Sequence, residues 1–174
     1  MQESMKTKIL LFSFLLATAS SQTIANISIH EAPQQSPGFL LWHTSTSWRR
    51  VIEQSLQEYN LTHPQFVVLA TLAWLTQKGN RVTQAETGHT AGLDPNTTSQ
   101  ILRGLEAKKY IERVRPDDKS KNPILTPLGS KILKIALPAV EKADANFFVS
   151  LQSQELETLV SLFQKLVPQK MKIK

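Results

Sequence analysis

A mostly α-helical fold with one small β ribbon is what this 174-residue sequence predicts. Three observations predict it. Apolar residues recur at helical spacing along most of the chain after about residue 38. Capping residues followed by Pro, or by Glu or Gln three positions later, mark one helix start after another. A single alternating, β-branched segment at 110–115 interrupts that pattern. With 41% hydrophobic residues the chain can bury a core, and its length suits one domain or one domain with an extension. Without a cysteine it has no disulfide framework, no thiolate nucleophile and no thiol with which to sense peroxide. Lys and Arg number 20 against 14 Asp and Glu, a formal charge of +6 that favours an acidic partner, nucleic acid ahead of an anionic membrane surface.

The N-terminal end reads differently from the rest. Residues 1–25 have the pattern of a secretory signal: Lys6 and Lys8, the apolar run from Ile9 to Leu16, then Ala17-Thr18-Ala19 as a cleavage pattern. The apolar run is too short to span a bilayer, which needs about 20 residues, so no membrane partner is expected. Three readings stand for this leader: a start codon set too far upstream, a real extension forming a fold-back arm, or true export. Export would make the protein a helical ligand- or protein-binding protein. Asn26–Pro37, with Pro33 and Pro37 around a polar middle, reads as linker.

From Gly38 to Tyr59, Leu41, Ser45, Trp48, Ile52, Leu56 and Tyr59 fall on one helical face. Thr62-His63-Pro64-Gln65 then supplies a capping box with Pro in the first turn. The run Phe66–Leu75 is apolar almost all round, as befits a central helix buried on every side. Thr83-Gln84-Ala85-Glu86 is a second capping box, opening a short helix to about Ala91. Gly92-Leu93-Asp94-Pro95 makes a tight turn into a helix over 95–109, which buries Thr98, Ile101, Leu102 and Leu105.

A short helix, a tight turn and a helix whose open face carries Asn96, Thr97, Ser99, Gln100 and Arg103 form a helix-turn-helix arrangement. A generic surface helix would carry Glu–Lys pairs there; uncharged hydrogen-bonding side chains plus one Arg suit base edges in the major groove. Tyr110–Arg115 reads as a strand, Pro116–Pro123 as a charged turn and Ile124–Thr126 as the returning strand. A ribbon in that place is a wing, and Arg113, Arg115, Lys119 and Lys121 suit phosphate or minor-groove contact. Residues 78–131 hold ten Lys and Arg against six Asp and Glu, so most of the excess charge lies where a DNA footprint needs it.

Residues 38–168 resemble the MarR (multiple antibiotic resistance regulator) family of winged helix-turn-helix transcription factors. The likeness is carried by Leu61-Thr62-His63-Pro64-Gln65-Phe66, Leu93-Asp94, Leu105-Glu106, Ile111-Glu112-Arg113 and Leu125-Thr126-Pro127-Leu128-Gly129. Three departures stand out. Asp117-Asp118-Lys119 replaces the family's Asp-x-Arg at the wing tip, keeping charge but losing the planar fork. Thr87-Gly88 stands where Leu-Ala is usual, and Lys109 where the turn Gly is usual. Gly88 should lower helix propensity and loosen contacts beneath the recognition helix, weakening DNA binding.

Thr126 and Pro127 open a long helix over 128–149 containing Pro138, and Ser153 or a neighbour caps a last helix with Leu156, Leu159, Val160, Phe163, Leu166 and Val167 at helical spacing. The resemblance implies that these two pair with the first helix to form a homodimer on double-stranded DNA. The expected plan is therefore a leader and linker over 1–37, an N-terminal dimerisation helix over 38–62, a winged helix-turn-helix DNA-binding lobe over 62–126, C-terminal dimerisation helices over 127–168 and a basic tail over 169–174. It also implies a small aromatic effector held near Trp42, His43, Trp48 and His63, although spacing alone accounts for these as core or interface aromatics. The expected function is a cytoplasmic transcriptional regulator, a repressor acting as a homodimer on a palindromic operator. No enzyme is expected: the four His are scattered without a metal-binding spacing, and neither a glycine phosphate loop nor a nucleophile elbow occurs. No metal or cofactor is expected either.

Overall fold

The computed structural model describes residues 27–77, 81–117 and 120–167, and their side chains except at 115–117, 120 and 121. The signal-like leader at 1–25, Lys119 and the basic tail at 169–174 lie outside the described residues. Six helices and a two-stranded ribbon follow in order: α1 (Pro37–Leu56), α2 (His63–Thr76), α3 (Gln84–Thr90), α4 (Pro95–Ala107), β1 (Ile111–Asp117), β2 (Ser120–Leu125), α5 (Pro127–Phe147) and α6 (Ser153–Leu166). Two compact units divide the chain at Thr46 and Ser47. In the first, a short 3-10 turn at Pro33–Gln35 precedes the start of α1, where the Phe39 and His43 rings meet at a tilt with centres 4.3 Å apart.

The second unit is organised around α2. Phe66, Val68, Leu69 and Leu72 are buried, and the helix packs against α3, α4, α5 and β2, as a helix without a polar face must. Ile52 and Leu56 of α1, Leu102 and Leu105 of α4, Ile111 of β1, and Leu133 and Ala136 of α5 complete this core. The first helix is shorter than its apolar spacing implies, since it tightens into a 3-10 turn at Gln57–Tyr59. Asn60, with φ of 52°, caps this turn, its N–H donating to the Gln57 carbonyl at 3.2 Å.

The wing is longer than expected. Pro116–Pro123 is not a turn, because β1 runs on to Asp117 and β2 begins at Ser120, pairing Ile111 with Leu125, Arg113 with Pro123 and Val114 with Asn122. In a two-stranded ribbon each strand has an open outer edge, so Pro does not break a ladder there. The register becomes irregular between Val114 and Asp117, beside Pro116. Pro138 lies inside α5 without ending it.

Lys109 is the second non-glycine residue with positive φ, at 60°. It links α4 to the wing, its N–H donating to the Glu106 carbonyl at 2.9 Å. An L side chain in this conformation costs roughly 1–2 kcal/mol, partly offset by the greater chain entropy that glycine loses on folding. Lys109→Gly should therefore stabilise the fold by about 1 kcal/mol in urea unfolding; a loss of stability would mean that the side chain contributes more than the backbone strain costs.

Candidate nucleic-acid interface

Both helices of the helix-turn-helix start from satisfied caps. At α3 the Thr83 N–H and hydroxyl each donate to the Glu86 carboxylate at 2.8 Å, and the Glu86 N–H returns to the Thr83 oxygen at 3.1 Å. The Thr83 amide, then its hydroxyl, hold the Glu86 carboxyl below the usual range. At α4 one Asp94 oxygen accepts the Asn96 and Thr97 amides at 2.9 and 3.0 Å, and the other accepts the Thr97 hydroxyl at 2.5 Å. The Thr97 hydroxyl, then its amide, keep Asp94 ionised below its ordinary range. Between the helices Gly92 takes φ of 71°, and the Leu93 N–H donates to the Gly88 carbonyl at 2.9 Å.

The contact between α3 and α4 is closer than the sequence suggests. Gly88 is buried against Thr98, and a Cβ built on it would lie 2.3 Å from the Thr98 hydroxyl oxygen. The expectation of loosened contacts is therefore reversed: the missing side chain lets the two helices approach. Thr87 and Thr98 are themselves buried, each hydroxyl donating four residues back, to the Thr83 carbonyl at 2.9 Å and the Asp94 carbonyl at 2.7 Å.

This frame leaves Asn96, Gln100 and Arg103 exposed on one side of α4. Thr97 and Ser99 are half-buried, and the Thr97 hydroxyl is already engaged by Asp94. Ser99, Arg103, Gln84 and His89 line a groove of about 850 Å³ that reaches Arg113 and Asn122 of the wing. Arg113 does not stand free: its guanidinium donates to the Glu106 carboxylate from Nε at 2.7 Å and from a terminal nitrogen. Arg115 and Lys121 lie on β1 and β2, with side chains outside the description.

The four aromatic and His residues divide between the two units. Trp48 and His63 meet edge to face at 5.0 Å, and the Trp48 indole donates to Asp144 of α5 at 2.7 Å. Burial, then the Arg49 charge, lower the His63 pKa against the opposing pull of Glu53. Trp42 is 69% exposed, and His43 rests on Phe39. Spacing could not reveal the Glu106–Arg113, Gly88–Thr98 or Trp48–Asp144 partnerships, since each joins two different elements.

Comparison with known proteins agrees with this geometry. Residues 50–119 match the family model for the transcriptional regulator SarA/Rot. A MarR-family transcriptional regulator from Rhodococcus sp. RHA1 superposes with a TM-score of 0.71 at 20% identity, over 79% of this chain and 96% of that one. The S. aureus MepR–DNA complex gives 0.69 at 23% identity, over 76% and 96%. CouR from Rhodococcus jostii RHA1, bound to p-coumaroyl-CoA, gives 0.70 at 20%, over 80% and 98%. These likenesses establish the fold. In sequence, the chain is 38% identical over 125 residues to the Bacillus subtilis protein described as the uncharacterized HTH-type transcriptional regulator YdcH, covering 71% of this chain and 85% of that protein.

The chain belongs to the HTH-type transcriptional regulators, and its fold is that of the MarR-family regulators. It is a DNA-binding transcriptional regulator of the winged-helix type, and the MarR family is one of transcriptional regulators rather than enzymes. No helix among the described residues is long and apolar enough to cross a membrane.

Proposed function

We propose that this chain is a cytoplasmic homodimeric repressor of the MarR family that reads a palindromic operator through α4 and is released by a small aromatic effector. The observation that carries the reading is the face of α4 bearing Asn96, Gln100 and Arg103. These side chains are exposed and sit on a helix fixed by the Asp94 cap and the close Gly88–Thr98 contact. Gln pairs best with adenine and Arg with guanine. In this reading Thr97 and Ser99 flank the reading face, and Arg115, Lys119 and Lys121 supply phosphate charge from the wing.

Dimerisation is supported by α6, in which no residue is buried and Leu156, Val160, Leu162, Phe163 and Leu166 are exposed. Residues 127–168 and 38–62 then form the dimerisation elements and 62–126 the DNA-binding lobe. The DNA complex of MepR and the ligand complex of CouR lend weight to operator binding and effector response. Trp48 and His63, which meet edge to face, are the proposed effector contacts.

Selection of duplexes from a random pool tests this reading. Wild type should return a palindrome. Gln100→Ala should lose its preference at one base pair per half-site, a discrimination of about 1–3 kcal/mol, with non-specific affinity unchanged. Identical sequence logos would remove Gln100 from the reading set, and a wild-type logo without a palindrome would overturn dimeric operator binding.

A further inference from the structure

Simple electrostatics makes every acidic side chain near DNA a hindrance, yet Glu106 lies near the end of α4, facing the wing. Its partner Arg113 is only 11% exposed on its side chain, against 39% for Glu106. Strand alternation explains the direction, because Ile111 and Arg113 lie on the same side of β1 and Ile111 is buried in the core. The guanidinium donates through two nitrogens to one carboxylate oxygen, an arrangement that fixes orientation better than a single contact. Arg113 also lines the groove that Ser99 and Arg103 of α4 share with Asn122 of β2.

We propose that Glu106 is a positioning residue for DNA binding, holding the root of the wing against α4 through Arg113. The inference rests on the reading of α4 as the base-reading helix. Arg113 is then a strut and not a phosphate contact, and the wing's remaining cations reach DNA from a fixed angle. The sign of one substitution decides it: removing this negative charge weakens operator binding.

The test uses the full chain, the duplex recovered by selection and a random duplex of equal length, with fluorescence anisotropy across a salt series. Glu106→Gln and Arg113→Gln should each weaken operator binding about tenfold, as expected for loss of a charged hydrogen bond. The double variant should be no worse than either single one, and the slope of log K against log salt should stay at the wild-type value. Amide exchange should quicken in Ile111–Val114 while α2 stays protected. Tighter binding of Glu106→Gln to both duplexes overturns the proposal, as does a slope reduced by nearly one unit in Arg113→Gln, because each result makes Arg113 a phosphate contact. If Glu106→Gln fails to fold, Arg113→Lys keeps the charge, loses the fork, and must show the same loss of affinity at unchanged slope. Wild type that selects no sequence fails the base-reading assignment and this inference with it; wild-type selection with unaltered variants fails this inference alone.

Discussion

Gly129→Ala should destabilise the protein by at least about 3 kcal/mol and lower its melting temperature by roughly 6–12 °C. A Cβ at that position would lie 1.9 Å from the Tyr110 carbonyl oxygen and 2.8 Å from its carbon. Backbone, unlike the end of a side chain, cannot swing aside. The same carbonyl accepts the Thr126 N–H and the Thr126 hydroxyl, both at 3.1 Å, while the Gly129 N–H donates to that hydroxyl oxygen at 2.9 Å. A methyl group would thus separate the start of the wing from the cap of α5. Gly38→Ala is the matched control, because its Cβ would meet only the Ser36 hydroxyl oxygen at 3.9 Å. A Gly129→Ala protein that melts within about 2 °C of wild type would show that the joint tolerates displacement.

Gly88→Ala should cost about 2 kcal/mol, although helix propensity alone predicts a gain of up to about 1 kcal/mol. The added carbon would lie 2.3 Å from the Thr98 hydroxyl oxygen and 2.9 Å from its methyl group. Both atoms disappear in Thr98→Ala, so the double variant should be less destabilised than the sum of the two single ones. Urea midpoints at unchanged m-value measure this coupling. Additive effects would show that the two sites do not press on each other, and a stabilised Gly88→Ala would restore the expectation of a loosened helix pair.

The sequence makes legible whatever is settled within one turn of chain. The capping pairs Thr62–Gln65 and Thr83–Glu86 and the Asp94 cap form where their spacing predicts, since donor and acceptor lie two or three residues apart. The central burial of α2 follows from its lack of a polar face. The wing's length was hidden because Pro116 and Pro123, which would interrupt an inner strand, are tolerated on a ribbon that is all edge. Gly88 reads as a weakness until its neighbour is known. Trp48 and Asp144 stand 96 residues apart, and nothing in either's local pattern names the other.

If α4 reads DNA as proposed, the spacing of its exposed side chains sets how much information one lobe can take from the duplex. Asn96 to Arg103 spans about 10 Å of helix at 1.5 Å per residue, the length of about three base pairs. With four distinguishable base pairs in the major groove, three positions select about one sequence in 64. A bacterial chromosome offers on the order of 10⁶ or more competing sites, so one lobe alone leaves tens of thousands of equivalent addresses. The two lobes of the proposed homodimer would square that selectivity to about one in 4,000 and still leave hundreds. On the proposed reading, the rest of the address resides in the separation of the half-sites and in how readily the DNA between them bends.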